Sequence, residues 1–158
     1  MVGPKVQNMS ATFAGTRIET PISGPNVTDM SFAYARCNNI VNPIWFENVN
    51  MVGTYKESNN IVNPVCSDNA TDMSQTYANC RNIKNAVCGN NIINMAFTYQ
   101  GCNNLTTAAC GPKVENLSYT YYNCKLLSDS VCGNNVINMD YAYANCSGLL
   151  WASCGENV

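Results

Sequence analysis

The chain has 158 residues, enough for one domain of ordinary size. Only 11% of its residues are charged, against about 25% in typical soluble domains. The net charge of −2 argues against a nucleic-acid partner, because nucleic-acid binding requires clustered Lys and Arg. No apolar run approaches the ~20 residues of a membrane span, so we expect no membrane insertion.

One sequence unit repeats along the whole chain with a period of 22 residues. We number the positions of each unit from 1 to 22, with Gly24 at position 1, and one-residue deletions shorten the first and third units. The units begin at Gly3, Gly24, Phe46, Ser67, Gly89, Gly111 and Gly133, and an eighth begins at Gly155. The repetition predicts a single array over residues 1–158 with about seven coils. Because neither end has the polar cap that solenoids need, we expect it to be part of a longer array.

The first predicted element of each unit is a short helix over positions 7 to 14. Apolar or small residues at positions 7, 10, 11 and 14 have the spacing of one helix face. In the fifth unit these residues are Met95, Thr98, Tyr99 and Cys102. The Asn or Asp at position 6 is a good N-cap, and the Asn pairs at positions 15 and 16 suit a left-handed turn that ends a helix.

The second predicted element is a very short strand over positions 20 to 22. Because successive side chains of a strand point to opposite faces, positions 20 and 22 are expected to point inward and positions 19 and 21 outward. Strands of stacked coils would form a parallel sheet along the array. Pro21, Pro43 and Pro64 at position 20 lack the N–H donor, so strand pairing should be weakest in the first three coils. Asn at position 3 is expected to bond to backbone groups that no regular element satisfies.

A resemblance to a known family is carried by residues 26–40, which read NVTDMSFAYARCNNI. These residues resemble the repeats of the BspA-like leucine-rich repeat family of bacterial and protist surface proteins, and the resemblance covers the whole chain. It implies an α/β repeat solenoid that is elongated and right-handed, with a short strand and a short helix in each 22-residue coil. Family members are commonly adhesion or binding proteins, and related repeats occur in phage tail proteins. The resemblance therefore implies an extracellular, cell-surface or virion location.

Ten cysteines occupy positions 14 and 22. The chain has no His and no C-x-x-C, which argues against a metal site, and no cofactor is expected. Two states of the cysteines stay open, namely free thiols that act as small core residues and disulfides between repeats. The disulfides would be Cys66–Cys80, Cys88–Cys102, Cys110–Cys124 and Cys132–Cys146. Disulfides persist only outside a reducing cytoplasm, so the two states imply different locations.

Two ladders of side chains allow more than one interpretation. Tyr at position 11 is expected in the core with its hydroxyl at the surface, although an exposed column would offer an aromatic platform for sugars or bases. Threonine recurs at position 10 and forms a ladder in four successive units, as Thr54, Thr76, Thr98 and Thr120. This array resembles those of ice-binding solenoids, but packing explains it more simply, so ice binding is a remote alternative.

Without His, Ser-His and Cys-His chemistry is excluded, and no catalytic residue is expected.

The outward positions 19 and 21 of the predicted strand are the candidate ligand-binding positions. They place a polar stripe beside a β-branched stripe, and exposed patches of this kind often mark binding faces, although β-branched residues also favour strands by themselves. The candidates are Asn63, Val65, Asn85, Val87, Thr107 and Ala109, with Trp151 as an aromatic anchor. We expect a non-catalytic adhesion or recognition module for a protein or glycan ligand on a host or cell surface. The alternative is a structural spacer in a surface protein or phage tail fibre, with neighbouring repeats of a longer parent protein as its partners.

Overall fold

The computed structural model of the chain describes residues 2–47 and 49–153, and within these residues successive repeats stack on one another. The stack is held by backbone hydrogen bonds between equivalent segments of neighbouring coils. Three strands form one parallel sheet in the order β1 (Thr107–Ala109), β2 (Asp129–Val131) and β3 (Trp151–Ser153). Cys154 and the beginning of the eighth unit at Gly155 lie outside the described residues.

The prediction of a helix in each coil is wrong, since the described residues contain no helix. Positions 7 to 14 form overlapping turns instead. In the fifth unit the N–H groups of Thr98 and Cys102 bond to the carbonyls of Met95 and Tyr99, three residues earlier. The N–H groups of Met95 and Tyr99 bond to carbonyls of the next coil, whereas an α-helix would direct them to residue i−4 of the same segment. The α/β leucine-rich-repeat class that the resemblance implied is therefore not the fold of this chain.

Left-handed backbone at positions 9 and 13 explains why no helix forms. In the fifth unit Phe97 has a φ of 60° and Gly101 a φ of 69°, and a positive φ recurs at both positions in all seven described units. A right-handed helix needs a negative φ throughout, whereas the third residue of a type II turn needs a positive one. Position 13 carries Gly or Asn in five of the seven units, and both residues tolerate this conformation.

The parallel sheet is shorter than predicted, because the three described strands belong to the last three coils rather than to the whole array. Elsewhere the coils are joined by isolated parallel bridges, most of them at position 6. The described residues around Pro21, Pro43 and Pro64 contain no strand, which confirms the prediction of weak pairing in the first three coils. The predicted role of Asn at position 3 is also confirmed, since Asn91 Nδ2 donates to the carbonyl of Asp68 in the preceding coil.

The core consists of ladders of equivalent side chains that run through the stack. In the fifth unit the side chains at positions 4, 7, 11, 14 and 17 are fully buried. They are Ile92, Met95, Tyr99, Cys102 and Leu105. The placement of the Met and Tyr ladders in the core is thus confirmed, even though turns rather than helices carry them.

Candidate functional site

The predicted ligand-binding residues lie on the wall of the stack that contains β1, β2 and β3, which we call the strand wall. Its position-19 residues form one row, in which Asn85 pairs with Thr107, Thr107 with Asp129 and Asp129 with Trp151. The row is exposed to solvent, and Trp151 is 55% exposed. Thr107 Oγ1 donates to Asn85 Oδ1 at 2.9 Å, so neighbouring side chains of the row are already aligned. Asn63, one coil earlier at the same position, is also exposed.

The position-21 residues form a second row beside the first. Val65 and Val87 are half-buried and Ala109 is exposed, and Ala109 pairs with Val131, which is 53% exposed. The strand wall therefore carries all seven predicted residues in exposed or half-exposed positions. Their role in binding stays a prediction.

A column of stacked tyrosines fixes the strand wall from the inside. Five tyrosines are fully buried, namely Tyr34, Tyr55, Tyr77, Tyr99 and Tyr121. The centroids of neighbouring rings are 5.8 to 6.1 Å apart. The Tyr99 hydroxyl accepts from the Val87 N–H at 3.0 Å and donates to the Val87 carbonyl at 2.8 Å. The prediction that the hydroxyls reach the surface is therefore wrong, and the buried column offers no platform for sugars or bases.

The Thr and Cys ladders also have a hydrogen-bonding role. Thr98 Oγ1 donates to the carbonyl of Met73 in the preceding coil at 2.8 Å, and Cys102 Sγ donates to that of Tyr77 at 3.3 Å. Ser58, which occupies position 14 in the third unit, makes the same bond through Oγ. Position 14 thus requires a small side chain with a donor, which Cys and Ser both provide. Because Thr54, Thr76, Thr98 and Thr120 are 0% exposed, they cannot form an ice-binding surface.

The nine cysteines that the structure describes are free thiols, which is the first of the two states that the sequence left open, and none of the four alternative disulfides between positions 22 and 14 is formed. The position-14 sulfurs bond to carbonyls instead of reaching position 22. Desolvation raises the pKa of Cys80 and of Cys124 to about 12, which makes both thiols poor nucleophiles.

A groove between the third and fourth coils was missed by the sequence analysis. It has a volume of about 320 Å³, and its lining includes Trp45, Glu47 and Asp72. The Glu47 carboxylate accepts from the Ser67 hydroxyl at 2.7 Å and from Asn69 Nδ2 at 3.3 Å. The combination of an aromatic ring with carboxylates and an amide is able to hold a small polar ligand.

The position of this groove follows from the one-residue deletion in the third unit. The bridges of position 6 join Asp29 to Asn50 and Asp72 to Asn94, but no bridge joins Asn50 to Asp72 among the described residues. The shorter unit loses the register only locally, because the Gly53 N–H already bonds to the Ser74 carbonyl of the next coil. The deletion was therefore the available signal in the sequence.

A row of aromatic side chains at position 9, of which Phe97 and Tyr119 are half-buried, lies on the opposite wall. This wall is formed by the turns of positions 7 to 14, and we call it the turn wall. Phe97 and Tyr119 stack with centroids 4.8 Å apart, and Tyr119 and Tyr141 stack at 4.9 Å. Tyr141 is 62% exposed. Because these rings cover one another's faces, they present mainly their edges to solvent. The helix prediction missed this row, since position 9 lies outside the apolar spacing.

Comparison of the chain with protein-family models, with curated proteins and with solved structures found no match. The resemblance to BspA-like repeats therefore stays a prediction. In the part of the chain that the structure describes, no group of three or more His, Cys, Asp or Glu side chains is arranged to hold a metal ion. A search of the same residues for a helix long and apolar enough to cross a membrane found none.

Proposed function

We propose that the chain is a non-catalytic recognition module whose strand wall binds an extended protein or glycan ligand. The observation that carries this proposal is the exposed row of position 19, in which Asn85, Thr107, Asp129 and Trp151 are in register. Neighbouring strands lie ~4.8 Å apart, so the row offers an amide, a hydroxyl and a carboxylate at regular intervals. A ligand that runs along the stack would meet one such group at each coil.

The chemistry of the strand wall is suited to hydroxyl or peptide groups. Asn and Thr side chains both donate and accept hydrogen bonds, and the ring of Trp151 adds a large apolar contact area of the kind that dominates binding energies. The wall is held from behind by the tyrosine hydroxyls that bond to Val65 and Val87. A wall that is already ordered loses little conformational freedom when it binds, which favours affinity.

The resemblance supports an adhesive role at a cell surface or on a virion, in an extracellular setting, and we propose this location. The competing function is a structural spacer that holds other domains or neighbouring repeats apart. One observation favours a spacer, namely the nearly continuous hydrogen bonding between coils, which would resist bending. A spacer would bind nothing through the strand wall, so binding separates the two functions.

The test is a binding screen of the biotinylated chain against a glycan array and an array of cell-surface proteins. Any hit is then repeated with Thr107→Lys and Trp151→Asp, and with Tyr141→Asp on the turn wall as the matched control, because Tyr141 and Trp151 are similarly exposed. The two strand-wall variants should weaken binding at least tenfold, and the control should bind like the wild type. Loss of binding in Tyr141→Asp alone would show that the ligand binds to the turn wall. An array without hits would favour the spacer.

A further inference from the structure

Two cysteines of neighbouring coils are in direct sulfur contact. Cys110 follows β1 and Cys132 follows β2, and their Sγ atoms lie 2.8 Å apart. The Cys110 N–H bonds to the Val131 carbonyl at 3.0 Å, so the two residues lie side by side across a parallel pair. Neighbouring parallel strands are ~4.8 Å apart, within the roughly 4.4–6.8 Å that separate the Cα atoms of a disulfide. A bond between the two sulfurs therefore needs no large movement of the backbone.

Polar groups around Cys132 favour its thiolate form. The Tyr143 hydroxyl lies 2.9 Å from Cys132 Sγ, and it also bonds to the Ser130 hydroxyl at 2.7 Å. The hydrogen bond with the Cys110 thiol lowers the pKa of Cys132, and the hydroxyls of Tyr143 and Ser130 act in the same direction, against the effect of burial. The same bond, together with burial, raises the pKa of Cys110. The surroundings of the pair therefore favour a thiolate on Cys132 rather than on Cys110.

The other described cysteines of position 22 lack such a contact. Cys88 Sγ lies 3.5 Å from the Gly89 carbonyl and 3.5 Å from Met95 Sδ, and Cys66 Sγ lies 3.4 Å from the Ser67 carbonyl. Burial raises the pKa of Cys66 to about 12 and that of Cys88 to about 11. The sulfur contact therefore distinguishes Cys110 and Cys132 from these two cysteines, and Cys132 also differs from them in the direction of its pKa shift.

We propose that Cys110 and Cys132 form a redox-active pair that closes a disulfide between two coils by exchange with a small-molecule disulfide. Cys132, whose thiolate form is favoured, attacks one sulfur of the oxidant and expels the first small thiolate. Cys110 then loses its proton to solvent, attacks the Cys132 sulfur and expels the second thiolate. The pair is oxidised by two electrons, the small disulfide is reduced to two thiolates, and one proton is released.

The experiment exposes the folded, reduced chain to oxidised glutathione and then counts its thiols after unfolding without reductant. The reduced wild type should show ten thiols, and oxidation should remove two of them. Cys132→Ser should lose none, and Cys110→Ser should lose at most one, as a mixed disulfide with glutathione. The matched control Cys88→Ser, at the same position one coil earlier, should lose two. A wild type that keeps every thiol, or a loss of two thiols in Cys110→Ser, would overturn the proposal.

Peptide mapping of the oxidised wild type gives a second measurement that does not depend on the folding of any variant. After the remaining thiols are alkylated, trypsin should release a linked pair of peptides that span residues 85–113 and 126–158. Fragmentation should place the bond between Cys110 and Cys132. A bond that maps to any other pair of cysteines would refute the assignment.

Discussion

Removal of one hydroxyl from the tyrosine column should weaken the fold measurably. Tyr99→Phe deletes the hydroxyl that donates to the Val87 carbonyl at 2.8 Å and accepts from the Val87 N–H at 3.0 Å. Each backbone group that loses its partner in a buried site costs ~1–3 kcal/mol. Val87 is only half-buried, so water can replace part of the lost bonding. We therefore expect the free energy of unfolding to fall by about 2 kcal/mol.

Tyr99→Ala should cost more, because it also removes the buried ring. The ring stacks on Tyr77 and Tyr121 with centroids 5.9 and 6.1 Å away, so its loss leaves a cavity in the middle of the column. Truncation of a large aromatic side chain in a core costs ~3–5 kcal/mol, and we expect a loss in the upper part of that range. Tyr141→Phe on the exposed turn wall is the control and should stay within about 0.5 kcal/mol of the wild type.

The assay is urea unfolding followed by circular dichroism, with the slopes of the transitions compared so that changes in midpoint can be read as changes in stability. One result would refute the role of the hydroxyl, namely a Tyr99→Phe midpoint equal to that of the wild type while Tyr99→Ala is strongly destabilised. The column would then be held by packing alone. If both variants unfold like the wild type, Tyr99 does not belong to the core.

Three further predictions concern the polar ladders and the buried acids. Thr98→Val should lower stability by ~1 kcal/mol through loss of the bond to the Met73 carbonyl, and an unchanged urea midpoint would contradict this. Asn94→Ala should also cost ~1 kcal/mol, because Asn94 Oδ1 accepts from the Ala96 N–H as a cap does; here Asn94→Asp serves as the control and should retain most of the stability. Burial raises the pKa of Tyr77 and of Cys80 in the folded state. In the unfolded chain the pKa is ~8.5 for Cys and ~10 for Tyr. The stability that these two groups contribute is therefore complete below those pKa values and is lost as the pH rises above them. Unfolding free energies measured from pH 7 to 11 should therefore decline above about pH 9, and a rise over that interval would show that these groups do not dominate the pH dependence.

The repeat period and the core ladders could be predicted from the sequence, but the local backbone could not. The spacing of Met95, Tyr99 and Cys102 fits one face of a helix, and it fits a run of overlapping turns equally well. The distinguishing signal was the recurrence of Gly or Asn at position 13, as in Asn79 and Gly101, inside the predicted helix. Gly and Asn adopt a positive φ at little cost, whereas every residue inside a right-handed helix has a negative φ. Their recurrence at one position therefore favours a turn over a helix.

The exposure of positions 19 and 21 on the strand wall could be predicted, because apolar and polar residues alternate there according to which side chains are buried. The Trp45 groove was harder to predict, since a one-residue deletion shows that the register changes without showing which residues the change separates. The sulfur contact of Cys110 and Cys132 was not predicted. Disulfides between position 22 and position 14 were one of two alternatives that the sequence left open, but the position-14 thiols are directed to carbonyls, as Cys124 is to Tyr99.

The low charge of the chain and its abundance of small polar residues follow from the turn wall. The Met95 carbonyl accepts the Thr98 N–H of its own turn and also the Thr120 hydroxyl of the next coil. A leucine at position 10 would remove the second donor, and a lysine there would bury a charge without a partner. Positions 10 and 14 can therefore hold few residue types, whereas position 19 varies freely between Asn, Thr, Asp and Trp along one row. Since variation at position 19 leaves the stack intact, the strand wall is where such a chain can change its ligand and keep its fold.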